Sequence, residues 1–241
     1  MAWSFTGHDV AGYQGKEVEL WVKRSVATAP NQADQTASQI RGVQSFNPTE
    51  EKAESKVSEL GFDTTKTIFG TASYSVSMNM LIRDLVNIAR VAGVDPTNTG
   101  RLVVSEFQPI NCVAWIKDPD SETVWATLYA GGFRARTSSK SLAVEANATI
   151  TLDGSADLVA TVDGKAVVRE HEGDGSCTLF AMEASVTAGD VYLVETPSGK
   201  ALPVWDGYTF VASGIGGVPS VSFTTAPSDG YKVKIVYKAQ S

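Results

Sequence analysis

Histidine and cysteine are scarce, with two of each in 241 residues. His8 and His171 leave almost no material for acid–base catalysis built on imidazole. There is no Gly-x-Ser-x-Gly elbow to present a serine nucleophile. Cys112 and Cys177 stand in none of the paired spacings that hold zinc, so two reduced, buried thiols are expected. Long apolar runs are missing too, and nothing approaches the roughly 20 residues that a membrane helix needs. Residues Met1 to Asp9 carry neither a basic stretch nor a long apolar one, so no secretory signal is read there and folding in cytoplasm is expected. Positive charge is short, with 20 Lys and Arg against 27 Asp and Glu and a net charge of −7. A duplex-gripping protein would show a basic patch. Specific nucleic-acid binding is therefore not expected, and a mildly acidic surface would let a polyanion pass without sticking.

What is present is an ordinary apolar share, 43%, with 20% charged residues. That suffices for one large β domain or two small ones. Residues 16–24 alternate, with Val18, Leu20 and Val22 on one face, which is a strand signal. Residues 25–38 are small and polar and are expected as a long loop. A short strand follows over 40–46. Residues 49–61 fit a helix by propensity, but the alternation of Lys52, Glu54, Lys56 and Ser58 fits a two-sided polar strand equally well. Residues 65–78 alternate cleanly, with Ala72, Tyr74, Val76 and Met78 opposite Thr71, Ser73, Ser75 and Ser77. A continuous hydroxyl face offers no core contacts, so it must meet water or a polar partner.

One helix is expected over about 79–92, from the stripe Leu81, Leu85, Ile88, Ala89 and Ala92, with Asn79 as cap and Gly93 as stop. From residue 101 the pattern is β. Strands are expected at 101–107, 110–117, 123–129, 132–137, 138–144 and 148–152, and the last strand at 231–237. Turns are expected at Gly131-Gly132, Asp153-Gly154 and Asp163-Gly164. A domain boundary is placed near residue 155. The fold class is therefore mainly β, a sandwich or barrel with one flanking helix (residues 1–155), followed by a β-rich segment or small β domain (residues 156–241).

No catalytic, cofactor-binding or metal residue is proposed. Glu170, His171, Glu172 and Asp174 match no strong coordination spacing and are expected as an exposed acidic turn. Gly214-Ile215-Gly216-Gly217 is expected as a hairpin loop, because a strand and not a helix follows it. Asn147-Ala148-Thr149 fits the glycosylation pattern, which means nothing without a secretory route. Trp115 and Trp125 are expected to pair across neighbouring strands. A carbohydrate platform is the sharper alternative.

Residues 40–92 carry a family likeness. The run Ile40-Arg41-Gly42-Val43-Gln44-Ser45-Phe46, the segment from Lys56 to Gly70, the Ser/Thr-alternating strand and the helix resemble a tail tube protein of tailed bacteriophages. So does Gly132-Phe133-Arg134-Ala135-Arg136-Thr137-Ser138-Ser139-Lys140-Ser141 leading into 146–149. The resemblance covers about residues 16–160. It implies a non-enzymatic subunit whose sandwich forms hexameric rings that stack into a tube for DNA. It implies that 49–60 is at least partly strand, lining the channel with 65–78, and that loop 25–38 touches the next ring. Partners would be further copies of the chain, with tail sheath, tape measure and baseplate proteins, and DNA would pass without specific binding. No membrane anchor and no cofactor are implied. The location would be the virion tail, assembled in host cytoplasm. Residues 156–241 exceed the family pattern and would form an outward-facing decoration or complete the sandwich. A capsid decoration, a baseplate component or a carbohydrate-binding module are the alternatives.

Overall fold

The computed structural model describes residues 18–24, 37–58, 65–82, 85–93, 107–118, 121, 123–141, 148–195, 201–202 and 207–238. The fold is mainly β. The first module holds β1 (Val18–Arg24), β2 (Ser38–Ile40), β3 (Val43–Ser58), β4 (Thr65–Leu81), β5 (Ile110–Lys117), β6 (Val124–Ser141), β7 (Thr149–Ala156) and β8 (Leu158–Asp163), with helix α1 (Leu85–Val91). Hydrogen-bonded order runs β2-β1-β5-β6-β7-β4-β3, and β8 pairs with β6. The module folds as two layers because β6 bends between them. Its first part, Ala126–Gly131, pairs with β8, and its second part, Arg134–Ser141, pairs with β7. An inner sheet, β3-β4-β7 with the second part of β6, thus lies over a sheet of β2, β1, β5, the first part of β6 and β8.

The bend corrects an expectation. Gly131-Gly132 is not a turn but the corner of one 18-residue strand. Gly132 has φ +64°, and a Cβ there would collide with the Asp157 carboxylate. Only glycine adopts that conformation in that space. Asp153-Gly154 likewise lies within β7. Asp163-Gly164 is a turn but not a hairpin, since β8 pairs with β6 and the following strand pairs elsewhere.

The ambiguous segment 49–60 is strand as far as Ser58, as the family likeness implied. The helix is shorter than expected. Residues 79–81 belong to β4, so Asn79 does not cap it, and the helix is described over Leu85–Val91. Periodicity misplaced its start because Leu81 fits both a strand face and a helix stripe. Its end is as read: Gly93 has φ +68° and donates its N–H to Arg90 O at 3.1 Å. Ile88, Ala89, Val91 and Ala92 are buried among Met78, Met80, Ile110, Phe133 and Leu152, in the core between the two sheets. Residues 25–36 and 101–106, expected as a loop and a strand, lie outside the described residues.

The second module holds β9 (Ala166–Glu172), β10 (Leu179–Ala181), β11 (Val191–Glu195), β12 (Ala201–Leu202), β13 (Tyr208–Val211), β14 (Ser220–Phe223) and β15 (Lys232–Lys238). They form sheets β12-β11-β15-β9 and β10-β14-β13, with their own core of Phe180, Met182, Val194, Val221, Val233 and Ile235. The first of these sheets packs on the outer face of the first module through Val113, Tyr129, Leu158, Ala166, Leu193 and Val236. Four sheet layers therefore succeed one another, at ~10 Å per layer.

Candidate functional surface

The inner sheet has two unlike faces. Antiparallel pairing places directly opposed residues on one face, and alternate residues on the other. Val76, Met78 and Met80 sit opposite or beside Leu152 and Ile150 on the core side, and all five are buried. The intervening positions build the other face. On β4 they are Ser73, Ser75, Ser77 and Asn79. On β3 they are Asn47, Thr49 and Glu51, opposite Ser77, Ser75 and Ser73. On β7 they are Thr151, Asp153 and Ser155, opposite Asn79, Ser77 and Ser75. On β6 they are Thr137 and Ser139, opposite Asp153 and Thr151. A four-strand surface of hydroxyls and amides results, whose charges are the carboxylates of Glu51 and Asp153 and, at the corner end of β6 opposite Ser155, the exposed guanidinium of Arg134. Asn47, Thr49, Glu51, Ser73, Ser75, Thr137, Ser139 and Asp153 are exposed. Side-chain alternation signalled this surface on β4, and the family likeness added β3 through 49–60, whereas the contributions of β6 and β7 depend on register.

Both lateral edges of the inner sheet are open among the described residues. β3 ends the strand order, so its outer side has no strand partner. On β6, β5 pairs only as far as Phe133, leaving the outer side of Arg134–Ser141 unpaired. The hairpin of β3 and β4 also outruns the sheet. β7 pairs with β4 from Tyr74 to Leu81, whereas β3 pairs with β4 from Thr65 to Met80. Residues 65–73 of β4 therefore pair with β3 alone, as a two-stranded ribbon roughly 30 Å long at ~3.3 Å per residue. Such a ribbon is marginal in water by itself.

The seam between the modules holds most of the buried charge among the described residues. Asn111 Nδ2 donates to Glu170 Oε2 at 2.5 Å, and its Oδ1 accepts the Gly132 N–H at 3.1 Å. Lys232 Nζ lies 3.2 Å from Glu170 Oε1. Lys234 Nζ lies 3.2 Å from Asp157 Oδ2 and 3.5 Å from Glu195 Oε1, and Tyr129 donates to Glu195 Oε2 at 3.3 Å. Burial alone would lower Lys234, but Glu195, Glu170 and Asp157 hold it above the usual lysine range. Burial lifts the Glu195 carboxyl, with Lys234 drawing it back. Burial pushes Lys23 down to about 8, against the pull of Glu170. These groups pair with one another across the seam between the modules. Their arrangement bonds the modules together.

The acidic cluster is corrected accordingly. Glu170 and His171 are not an exposed turn but fully buried neighbours in β9, aimed at opposite sides. His171 Nε2 lies 2.8 Å from Ala181 O and its ring faces Phe180 in the second core. Glu172 and Asp174 are exposed. No group of three or more metal-ligating side chains occurs among the described residues. Trp115 pairs with Trp21, at 5.1 Å between ring centroids, and not with Trp125. Its Nε1 donates to Ala166 O at 2.7 Å, and Lys165 caps its ring at 4.4 Å. The ring is thereby built into the seam. Gly214–Gly217 connects β13 to β14 as the expected hairpin loop. Cys112 is buried, which raises its thiol well above the usual range, and Cys177 is half-buried; both are free.

Solved structures with a related trace come from phage-like tails and injection systems. A chain from the virion of a native gene transfer agent particle is 13% identical, with TM-score 0.40 over 63% of this chain and 99% of that one. A chain from the tube-terminating cap of the anti-feeding prophage is 8% identical, with TM-score 0.43 over 67% and 99%. A chain from the sheath–tube complex of an extracellular contractile injection system is 7% identical, with TM-score 0.42 over 64% and 93%. At these values the likeness concerns architecture alone and gives no residue a role. No family model matches the chain, and no curated protein sequence does.

Proposed function

We propose that the chain is the structural subunit of a phage-type tail tube, with no catalytic role. The observation that carries this reading is the inner sheet: one face packed on a core, the other wettable across four strands, and both edges open. An exposed sheet edge is a template for another strand. Here the free side of β3 and the free side of Arg134–Ser141 lie at opposite ends of one sheet. Head-to-tail pairing of unlike edges, repeated by rotation, closes a ring. The hydroxyl face then lines the hole as the inside of a barrel. Its two carboxylates stand against one arginine, Arg134, whose Nε donates to Phe107 O, and a face with no basic patch suits a channel through which DNA passes without being held.

The same geometry supports the division of labour between modules. The second module covers the face of the first that lies away from the inner sheet. In a ring it points outward, where a sheath or solvent would meet it. By the family likeness the rings are hexameric and stack, and the tape measure and baseplate proteins are the further partners.

The test is negative-stain microscopy of purified protein across a concentration series. Rings or hollow cylinders are expected. Protein that stays monomeric at every concentration, and antibody label that decorates heads instead of the tail shaft in particles, would overturn the reading.

A further inference from the structure

One grouping in the seam can do more than pair charges. Lys23 of β1 and Asn111 of β5 are direct partners in the antiparallel register, so their side chains leave the sheet on the same face. That face is the seam, because Trp21, Val113 and Trp115, at alternate positions on the same two strands, pack there. Glu170 of β9 meets them from the second module, and all three residues are buried. The Asn111 side chain is held at both ends. Its Nδ2 donates to Glu170 Oε2 at 2.5 Å, and its Oδ1 accepts the Gly132 N–H at 3.1 Å. Burial brings the Lys23 amine down to about 8, against the pull of Glu170, and the Arg169 charge adds to the fall. A desolvated lysine that gives up its proton near neutrality is a nucleophile.

We propose that Lys23 and Asn111 join in an intramolecular amide bond, with Glu170 as the proton carrier. Lys23 Nζ attacks Asn111 Cγ. Negative charge gathers on Oδ1, at which the Gly132 N–H already points. Glu170 takes one proton from Nζ and passes it to Nδ2, the atom it already touches. The Cγ–Nδ2 bond breaks and ammonia leaves. One amide replaces another, so the step needs no oxidant, reductant or metal. Lys232 Nζ, 3.2 Å from Glu170 Oε1, is the rival amine. The register places Lys23 beside Asn111, whereas Lys232 stands on β15 opposite Glu172. The bond ties β1 to β5 and constrains the unfolded chain between its two ends as a disulfide does. Lys23 titrates as an amine only before the bond forms, and Asn111→Ala holds the chain in that state. The inference stands apart from the tube reading, since it concerns one chain alone.

The test is the intact mass of the purified full chain, unfolded just before measurement, followed by protease digestion. Parent protein lighter than its sequence by one ammonia is expected, with a branched peptide that joins the residues around Lys23 to those around Asn111. Lys23→Arg and Asn111→Ala are expected to restore the full mass, Glu170→Gln to lose the branch, and Lys232→Arg to keep it. Full sequence mass in folded parent protein after long incubation at mildly alkaline pH would overturn the inference. So would loss of ammonia without a branch, as cyclisation of an asparagine gives, or a branch that ends on Lys232. The parent protein decides the question even where a variant fails to fold.

Discussion

Single residues matter most where the backbone or a charge has no alternative. Gly132 is one such place, because the bend in β6 needs φ +64° with Asp157 against it. Gly132→Ala is expected to cost roughly 2–3 kcal/mol, measured as a lower urea midpoint at unchanged slope. An unchanged midpoint would mean that the corner can relax. Lys23 is another. Below about pH 8 it is charged in both the folded and unfolded chain, and burial of that charge opposes folding. Between about 8 and 10.5 the unfolded chain binds more protons than the folded one, so the Lys23 contribution to stability rises with pH. Lys23→Met carries no such proton. Until Lys23 is bonded to Asn111, the parent protein should therefore gain stability relative to this variant from pH 7.5 to 9.5, by chemical denaturation. A constant gap would show that Lys23 keeps its proton throughout.

Elements carry a different lesson, since strands here do more than their own pairing requires. The ribbon beyond Tyr74 pairs only with itself, so the core owes it little. Replacing residues 54–69 by a short Gly-containing turn is expected to leave the melting temperature within a few degrees and to abolish ring formation. A large loss of stability would place the ribbon in the core instead. The seam is the converse case. The crossover from β8 to β9 is tied down by Thr127, whose Oγ1 donates to Gly164 O at 2.6 Å and accepts Ala166 N–H at 3.0 Å. With Trp115 on Ala166 as well, the two modules are expected to unfold as one unit.

For the whole molecule, the order of layers decides what meets what. The wettable face stands at one extreme and the β10-β14-β13 sheet at the other, with two cores and the seam between the modules lying between them. A basic substitution on the wettable face should therefore spare the fold and, under the proposed tube function, alter only traffic through the channel. Ser75→Lys, at an exposed position, is expected to change stability by less than about 0.5 kcal/mol. Assembled rings of this variant should retain double-stranded DNA at low salt and release it as salt rises. Equal retention by the parent protein, or none by the variant, would remove the face from the channel.

Local pattern alone was enough for the β class, the alternation of 65–78, the stop at Gly93 and the hairpin loop at 214–217, because each depends on side-chain period or on a backbone conformation that one residue type permits. It could not place the start of the helix, where Leu81 satisfies two periods at once. Nor could it tell a glycine turn from a glycine bend at 131–132, since both need the same dihedral freedom and differ only in whether the strand resumes its pairing. The burial of Glu170 and His171, the partner of Trp115 and the extension of the hydroxyl face onto β6 and β7 were decided by packing and register. These depend on residues brought together from distant parts of the chain, and no short window of sequence contains both partners.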